Sequence, residues 1–547
     1  MTTQAPAPLD PGEDDIRRLT DAEGATGDAR GVLRADVSLC LALAGLLAVV
    51  AFLLEGTLGF NLADEGYLWY GAQRVLRGEI PLRDFQSYDP GRYYWSAFVM
   101  AVRGSDGLVS LWTSTAIFQA IGLAAALWGL RRWGRRSGLV WLLAAAMVLL
   151  LWMIPRHKAF DITVSIFQLV ALTFLLERPE GRRWFLAGVV LGLSAVINRN
   201  HGAYGFMAHA AAFILSRRTG HEGASPRALG YWAAGLLVGY SPVWLMLLLV
   251  PGFAAAYWES IRYIVEVALE SRNTNLPLPV PWPWRAPFGR GDAIIAWRAC
   301  LIGVGFVSLI VFAGYGVWRI FDRRQGRGPS VALVTAAALL SLPYAHHAFS
   351  RAEVLHLAQG SFPLLLAGLV WLSHRGRGVR WAGYGVVLAA SALVTVPAHP
   401  GYQRATEGNW VTVSVGGEVL SLNPGTASNV ATFQGLHDRL AGDGGSFLAM
   451  PHWPGSYAMV RKPAPGWEIY SLFPSSPAAE HSELESVARA DIRFVILQDV
   501  AVDGRDDLRF RNTHPLMQRY IDERFERVQS PFEDPTLATY VRRRSGA

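Results

Sequence analysis

The hydrophobic positions of this chain are gathered into long runs, with neither the one-sided spacing of a soluble helix nor the alternation of a half-buried strand. Runs at 37–55, 108–130, 139–154, 162–176, 185–198, 203–215, 230–250, 293–318, 331–345, 358–372 and 382–396 are separated by short polar connections. A stretch of ~20 apolar residues in a helix crosses the ~30 Å of a bilayer's hydrocarbon. The pattern therefore predicts an α-helical polytopic membrane protein with about eleven transmembrane helices. Several runs, above all the pair flanking Arg199, are shorter than the ~17 residues of a simple span.

Beyond residue 396 the pattern changes. Segments 446–450 and 492–497 read as buried strands, and 428–441 and 514–525 carry helical spacing, which predicts a small α/β domain over 397–547. Residues 1–36 form a polar tail without a short cleavable signal pattern, so the first run reads as an uncleaved anchor. Residues 37–396 are then the membrane domain, with a long first outer loop at 56–107.

Charge sets the expected orientation. Arginines cluster in the connections 131–136, 178–183, 217–218, 319–327 and 375–380, on every second connection, and positive charge marks the cytoplasmic side. The N-terminus is expected in the cytoplasm and the C-terminal domain outside the inner (plasma) membrane. The net charge of +7 comes from these connections, and no basic stretch forms a nucleic-acid docking motif. An apolar share of 52% with only 17% charged residues excludes a disordered chain or coiled coil. The two cysteines, Cys40 and Cys300, lie in apolar runs and exclude both a disulfide framework and a cysteine zinc site.

The first outer loop is the most informative stretch. Leu68, Ala72, Val75 and Leu76 share one helical face with Gln73, Arg74 and Arg77 opposite, which predicts a helix lying in the membrane interface. The acidic pair Asp64-Glu65 opens it. Asp64 also fits a helix cap, although Tyr67 at the third helical position leaves no capping box. Further along come Gly78-Glu79-Ile80-Pro81-Leu82-Arg83-Asp84-Phe85 and Tyr88-Asp89-Pro90-Gly91.

With the first span, that acidic pair and the many-span core followed by an outer domain, these segments resemble the GT-C superfamily of membrane glycosyltransferases. The likeness is greatest to the branch of protein O-mannosyltransferases and bacterial lipid A aminoarabinose transferases. The resemblance implies transfer of a hexose or pentose from a polyprenyl-phosphate carrier to a lipid, glycan or protein acceptor on the outer face, with inversion at the anomeric carbon. Such a displacement needs one base for the acceptor hydroxyl and cations for the departing phosphate, whereas a glycosidase needs two carboxylates across the scissile bond. Asp64 matches the family's catalytic acidic position. Glu65 either orients the acceptor or pairs with a cation. Asp84, Tyr88 and Asp89 are candidate acceptor or sugar contacts, and Asp89-Pro90-Gly91 reads equally well as a turn.

Cations retained on the side poor in positive charge are candidates for the donor phosphate: Lys158, Arg199 and Arg351, with His201 and His356 as hydrogen-bond donors. Snorkelling, or pairing with Asp161 and Glu353, explains the same residues. Arg156 and His157 read as interfacial. No spaced ligand motif accompanies the adjacent His346-His347, so neither a metal nor any other cofactor is expected beyond the lipid-linked sugar itself, which is substrate. The aromatic and Pro-rich connection 251–292 either covers the site, grips a lipid tail or forms an interfacial aromatic belt. Rival functions with a similar pattern are a polysaccharide polymerase and a lipid-linked-sugar transporter or flippase, but the chain shows no clear repeat of the kind transporters carry.

Overall fold

The computed structural model describes residues 13–135, 138–221, 223–269, 278–322 and 328–543, with side chains from Arg34 onward except those of 266–269. Residues 1–12 of the expected polar tail, residue 136 and residues 323–327 of two arginine-rich connections, and part of the 251–292 connection lie outside the described residues. Helices α1 (Glu13–Glu55), α2 (Asp64–Leu76), α3 (Pro90–Arg103), α4 (Leu108–Trp133), α5 (Leu139–Leu151), α6 (Ala159–Glu177), α7 (Gly181–Ile197) and α8 (Arg199–Arg218) follow in order. They continue as α9 (Pro226–Gly239), α10 (Ser241–Leu249), α11 (Phe253–Leu269), α12 (Ala293–Phe321), α13 (Pro329–Ser350), α14 (Val354–Ser373), α15 (Arg377–Thr395) and α16 (Pro400–Glu407).

Each of the expected apolar runs falls on a helix, but they are not equivalent. Among the described residues, seven helices are long and apolar enough to cross a membrane, or eight if α9 and α10, bent by 58° at their junction, count as one span. Helix α5 has 13 residues and α7 has 17, and α8 carries Arg199, His201, His209, Arg217 and Arg218 within its 20. Length and polarity thus take these three below the measure of a simple span, and the expectation of about eleven is reduced accordingly.

The arginine-rich connections meet at one end of the helices. Arg131 pairs with Asp36, Trp133 donates to Glu177, Arg183 pairs with Glu177, and Ser330 joins Trp133 to His374. Glu55, the 56–107 loop and the start of α6 lie at the opposite end, where Arg156 donates to the Glu55 and Leu58 carbonyls.

The C-terminal region supplies hairpin β1 (Val411–Val415) and β2 (Glu418–Leu422), then α17 (Pro424–Ala441), β3 (Ser446–Met450), α18 (Pro454–Met459), α19 (Pro477–Arg489) and β4 (Ile492–Gln498). Helices α20 (Phe510–Thr513) and α21 (Pro515–Arg524) and strands β5 (Phe525–Val528) and β6 (Leu537–Arg542) complete it. The sheet order is β3-β4-β6-β5, with β3 and β4 parallel and the other pairs antiparallel. The expected strands and helices are β3, β4, α17 and α21.

Helix α2 differs from expectation. Gln73 is 1% and Arg74 is 8% exposed, so both faces are covered rather than one facing lipid and one facing water. Phe60, Tyr67, Trp69 and Tyr70 of the first loop share one core with Phe433, Phe447, Trp453 and Tyr457 of the C-terminal region. Gly66 meets Gly455 so closely that a Cβ on Gly66 would lie 2.5 Å from the Gly455 Cα. The polar face is satisfied inside this contact: Gln73 donates to the Asp106 carbonyl at 3.0 Å, and Arg74 pairs with Glu79. Amphipathic spacing alone does not reveal that a second domain, not the bilayer, takes the apolar side.

Candidate active-site cavity

Where α1 ends and α2 begins, a cavity of about 740 Å³ opens between the helix ends and the C-terminal region. One wall is apolar, with Leu47, Val50 and Leu54 of α1 facing Met147, Leu150 and Ile154 at the end of α5. The other is polar and carries Asp64, Tyr88, His157, Lys158, Arg351, Glu353, His356 and Tyr470. A chain long in methylenes with an anionic head fits such a division, because apolar area leaves water along one wall and charge is met at the other.

The adjacent acids of α2 are treated differently. The Asn61 side chain accepts from the Ala63 and Asp64 backbone N–H groups at 2.8 and 3.2 Å, so the helix start is tied down without spending the Asp64 carboxylate on a cap. Asp64 is half-buried and has no cationic nitrogen within 4 Å among the described residues. Its neighbour is the Tyr470 hydroxyl, which burial, and then the Asp64 charge, push well above the usual phenol range.

Glu65 points the other way. Arg156 grips it with Nε to Oε1 at 2.5 Å and Nη2 to Oε2 at 3.1 Å, and the Asn61 N–H adds a bond at 3.0 Å. Burial works to raise the Glu65 carboxyl, but the Arg156 charge and hydrogen bonds override it and hold it below the usual carboxylate range. Arg156 also stacks on Trp112, 3.5 Å from the ring centroid, and donates to three backbone carbonyls around residues 55–59. The group that reads as interfacial in the sequence is therefore the clamp joining α1, α2 and α6.

Lys158 faces the cavity with no carboxylate within 4 Å among the described residues; its Nζ donates to the Tyr88 hydroxyl at 3.2 Å and lies 4.7 Å from that ring's centroid. Arg351 donates through Nη2 to Asp503 Oδ1 at 2.8 Å, while its buried Nε has no hydrogen-bond partner. His356 Nδ1 lies 3.0 Å from Glu353 Oε1.

The remaining expected residues are not brought to the cavity. Asp89 accepts from the Arg199 backbone N–H and Nε, both at 2.8 Å, and so caps α8 from another element. Arg199 also donates to Ser260 and lies over Tyr257, which leaves it internally neutralised. Asp84 is bound by Arg83 and the Ile80 N–H, and the Arg83 hydrogen bonds hold its carboxyl below the usual range. His201 is fully buried beneath the cavity, with Nδ1 2.6 Å from the Tyr344 hydroxyl and Nε2 3.5 Å from Asp161, which Arg92 holds at 2.8 Å. Asp84, Asp89, Arg199 and His201 are absent from the cavity lining.

Sequence reasoning missed Tyr470, which reaches the cavity from the C-terminal region, Asp503, which pairs with the lining residue Arg351, and the pairing of His399 with Glu55 on the lining. Only His399, placed directly after an apolar run, had a local signal. Among the described residues, no group of three His, Cys, Asp or Glu side chains is arranged to hold a metal ion.

No family model and no curated protein matches the chain. Among solved structures it is similar to ArnT from Cupriavidus metallidurans bound to undecaprenyl phosphate, at 13% identity over 94% of this chain and 98% of that one, with a TM-score of 0.45. It is similar also to the oligosaccharyltransferase of Archaeoglobus fulgidus in the apo form, at 12% identity over 90% of this chain and 73% of that one, with a TM-score of 0.48. The archaeal enzyme AglB in complex with an inhibitory peptide and a dolichol-phosphate matches at 11% identity over 93% and 74%, with a TM-score of 0.46.

Proposed function

We propose that this chain is an integral membrane glycosyltransferase that moves a sugar from a polyprenyl-phosphate donor to an acceptor at the outer face of the membrane. The observation that carries the reading is one cavity in which Asp64, a carboxylate without an ion pair among the described residues, shares a wall with Lys158 and Arg351 and faces an apolar wall of α1 and α5. The arginine-rich end of the helices, opposite the cavity, is assigned to the cytoplasm by the positive-inside bias.

In the proposed step the acceptor oxygen attacks the anomeric carbon while Asp64 takes the hydroxyl proton. The bond from that carbon to the phosphate oxygen breaks on the opposite face, which inverts the anomeric configuration. The electron pair leaves on the polyprenyl phosphate, whose growing charge is met by the Lys158 ammonium, the Arg351 guanidinium and a hydrogen bond from His356. Phosphate is a weak base, so its departure requires charge stabilisation more than a proton, and a single carboxylate suffices. Glu65, locked by Arg156, is a positioning residue that sets the start of α2 and with it the direction of Asp64. Tyr88, on the cavity lining, is the acceptor or sugar contact retained from the first loop.

The test uses the full-length protein in lipid nanodiscs with polyprenyl-phosphate sugars bearing a hexose or a pentose, and membrane extracts as acceptor. Sugar transfer and release of polyprenyl phosphate are followed by mass spectrometry. Transfer that disappears in Asp64→Asn with protein level and insertion unchanged is the expected result. Retention of transfer in that variant, or release of no carrier phosphate by the wild type, overturns the assignment.

A further inference from the structure

The Arg351 side chain, on the cavity lining, is held from above by a turn of the C-terminal region. Asp503 and Gly504 both have left-handed backbones, with φ of 52° and 77°, and the Arg505 N–H donates to the Val502 carbonyl at 3.0 Å. This is a type I′ turn, the one for which an Asp-Gly pair is suited. Although its backbone lies at the surface, the turn directs the Asp503 side chain inward, to 13% exposure, onto Arg351. The turn is built independently of that contact, since the Gly504 N–H donates to the Ala501 carbonyl and the Arg505 side chain pairs with Asp507.

The contact is incomplete. Nε and Nη2 form the edge of a guanidinium that receives a carboxylate or phosphate through two parallel bonds. Asp503 takes Nη2 alone, at 2.8 Å, and Nε remains buried without a hydrogen bond, with Glu353 Oε1 at 3.7 Å as the nearest ion-pair partner. A phosphate entering the cavity can take both donors, and its charge is further met by Lys158, which has no carboxylate within 4 Å among the described residues.

We infer that Asp503 is an intramolecular stand-in for the donor phosphate: it occupies one donor of Arg351, and the lipid phosphate displaces it, releasing the 499–509 segment from Arg351. The inference rests on the donor-phosphate role proposed above for this site. It makes the C-terminal region a sensor of donor loading, with the segment free to admit the acceptor only after the carrier has bound.

The experiment measures binding of undecaprenyl phosphate, without sugar, to full-length protein in nanodiscs, together with hydrogen exchange of residues 499–509. Asp503→Asn removes the charge and keeps the turn, because Asn-Gly suits a type I′ turn as well as Asp-Gly does. Asp503→Gly provides a second variant compatible with the same backbone. Both are expected to bind undecaprenyl phosphate about 3- to 10-fold more tightly than wild type, since a competing charged hydrogen bond has been removed. In the wild type, lipid binding is expected to speed exchange in 499–509, and in the variants exchange there is already fast without lipid. Unchanged or weaker binding by both variants overturns the latch, as does a 499–509 segment whose exchange ignores the lipid. Lys158→Ala and Arg351→Ala separate this failure from that of the phosphate site: if both bind as wild type does, or if wild type does not bind at all, the donor-site reading falls and the latch with it. If both lose affinity while the Asp503 variants gain none, the latch alone is wrong.

Discussion

Two polar regions lie within a few residues of each other at the same end of the helices, and they are opposites. In one, each charge is consumed internally: Arg92 holds Asp161, and Asp89 holds Arg199. In the other, Asp64 and Lys158 have no ion-pair partner within 4 Å among the described residues, and Arg351 has one donor to spare. Residue types are alike in the two. What differs is completion, and an incomplete set of charges beside an apolar wall is where a ligand's own charge can finish the arrangement.

The sharpest way to break this comparison is to exchange the fates of its acids. Asp64→Asn is expected to lower sugar transfer about 10³-fold, the range of a lost general base, without altering thermal unfolding in detergent. Asp89→Asn is expected to do the reverse, lowering the unfolding temperature by leaving Arg199 and the start of α8 short of a partner, with transfer by the folded fraction retained. Equal losses of transfer in the two variants would erase the distinction.

Next in size is the buried pair. Arg92→Met leaves Asp161 charged and unpaired in the protein interior and is expected to cost about 3–5 kcal/mol, read as a large drop in unfolding temperature. Arg92→Met combined with Asp161→Leu restores most of it, because a buried pair replaced by apolar groups of similar volume loses little. No recovery in the double variant would mean that the pair does more than neutralise itself.

Among the cations, Lys158→Ala is expected to raise the KM for the polyprenyl donor about tenfold, the worth of one charged hydrogen bond, whereas Arg199→Ala leaves it unchanged. Steady-state kinetics over a donor series distinguishes them.

The smallest effects are in pH dependence. Glu65 titrates below its unfolded value, so its stabilisation is fully present above about pH 4.3 and is lost as pH falls through its folded value. Unfolding of wild type and Glu65→Gln, compared from pH 7 downward, should therefore converge in acid. In the C-terminal region the sign is opposite. Burial works against the charged form of His514, but Glu468, 3.1 Å away, raises it, and burial followed by the Glu468 charge pushes Glu483 up to about 7. Both groups contribute stability at low pH that is lost as pH rises through their folded values. The unfolding temperature of the wild type should fall by a few degrees between pH 6 and 8, and His514→Asn should flatten that slope.

How much of this was legible in the sequence follows from the range of the forces involved. The apolar runs announce their helices because the bilayer imposes a length on every one of them independently, without reference to a partner. The positions of 446–450 and 492–497 as strands β3 and β4 are equally local. Asp64 and Lys158 could be chosen because each stands in a short polar interval next to an apolar run. Arg199 could not be told from Lys158 on those grounds: the difference is Asp89, 110 residues away, on its backbone and side chain. Glu65 and Arg156 are separated by 91 residues and Arg351 and Asp503 by 152, and no periodicity reaches that far. Helix α2 was misassigned to the membrane interface for the same reason, because the surface covering Leu68 and Trp69 is contributed nearly 400 residues later by Trp453 and Tyr457.

That shared core orders events during synthesis. The Asp64 helix is made nearly 400 residues before the aromatic residues that enclose it and the Tyr470 that flanks its acid. A chain halted at the ribosome after α15 would therefore carry Asp64 on a helix whose core partners do not yet exist.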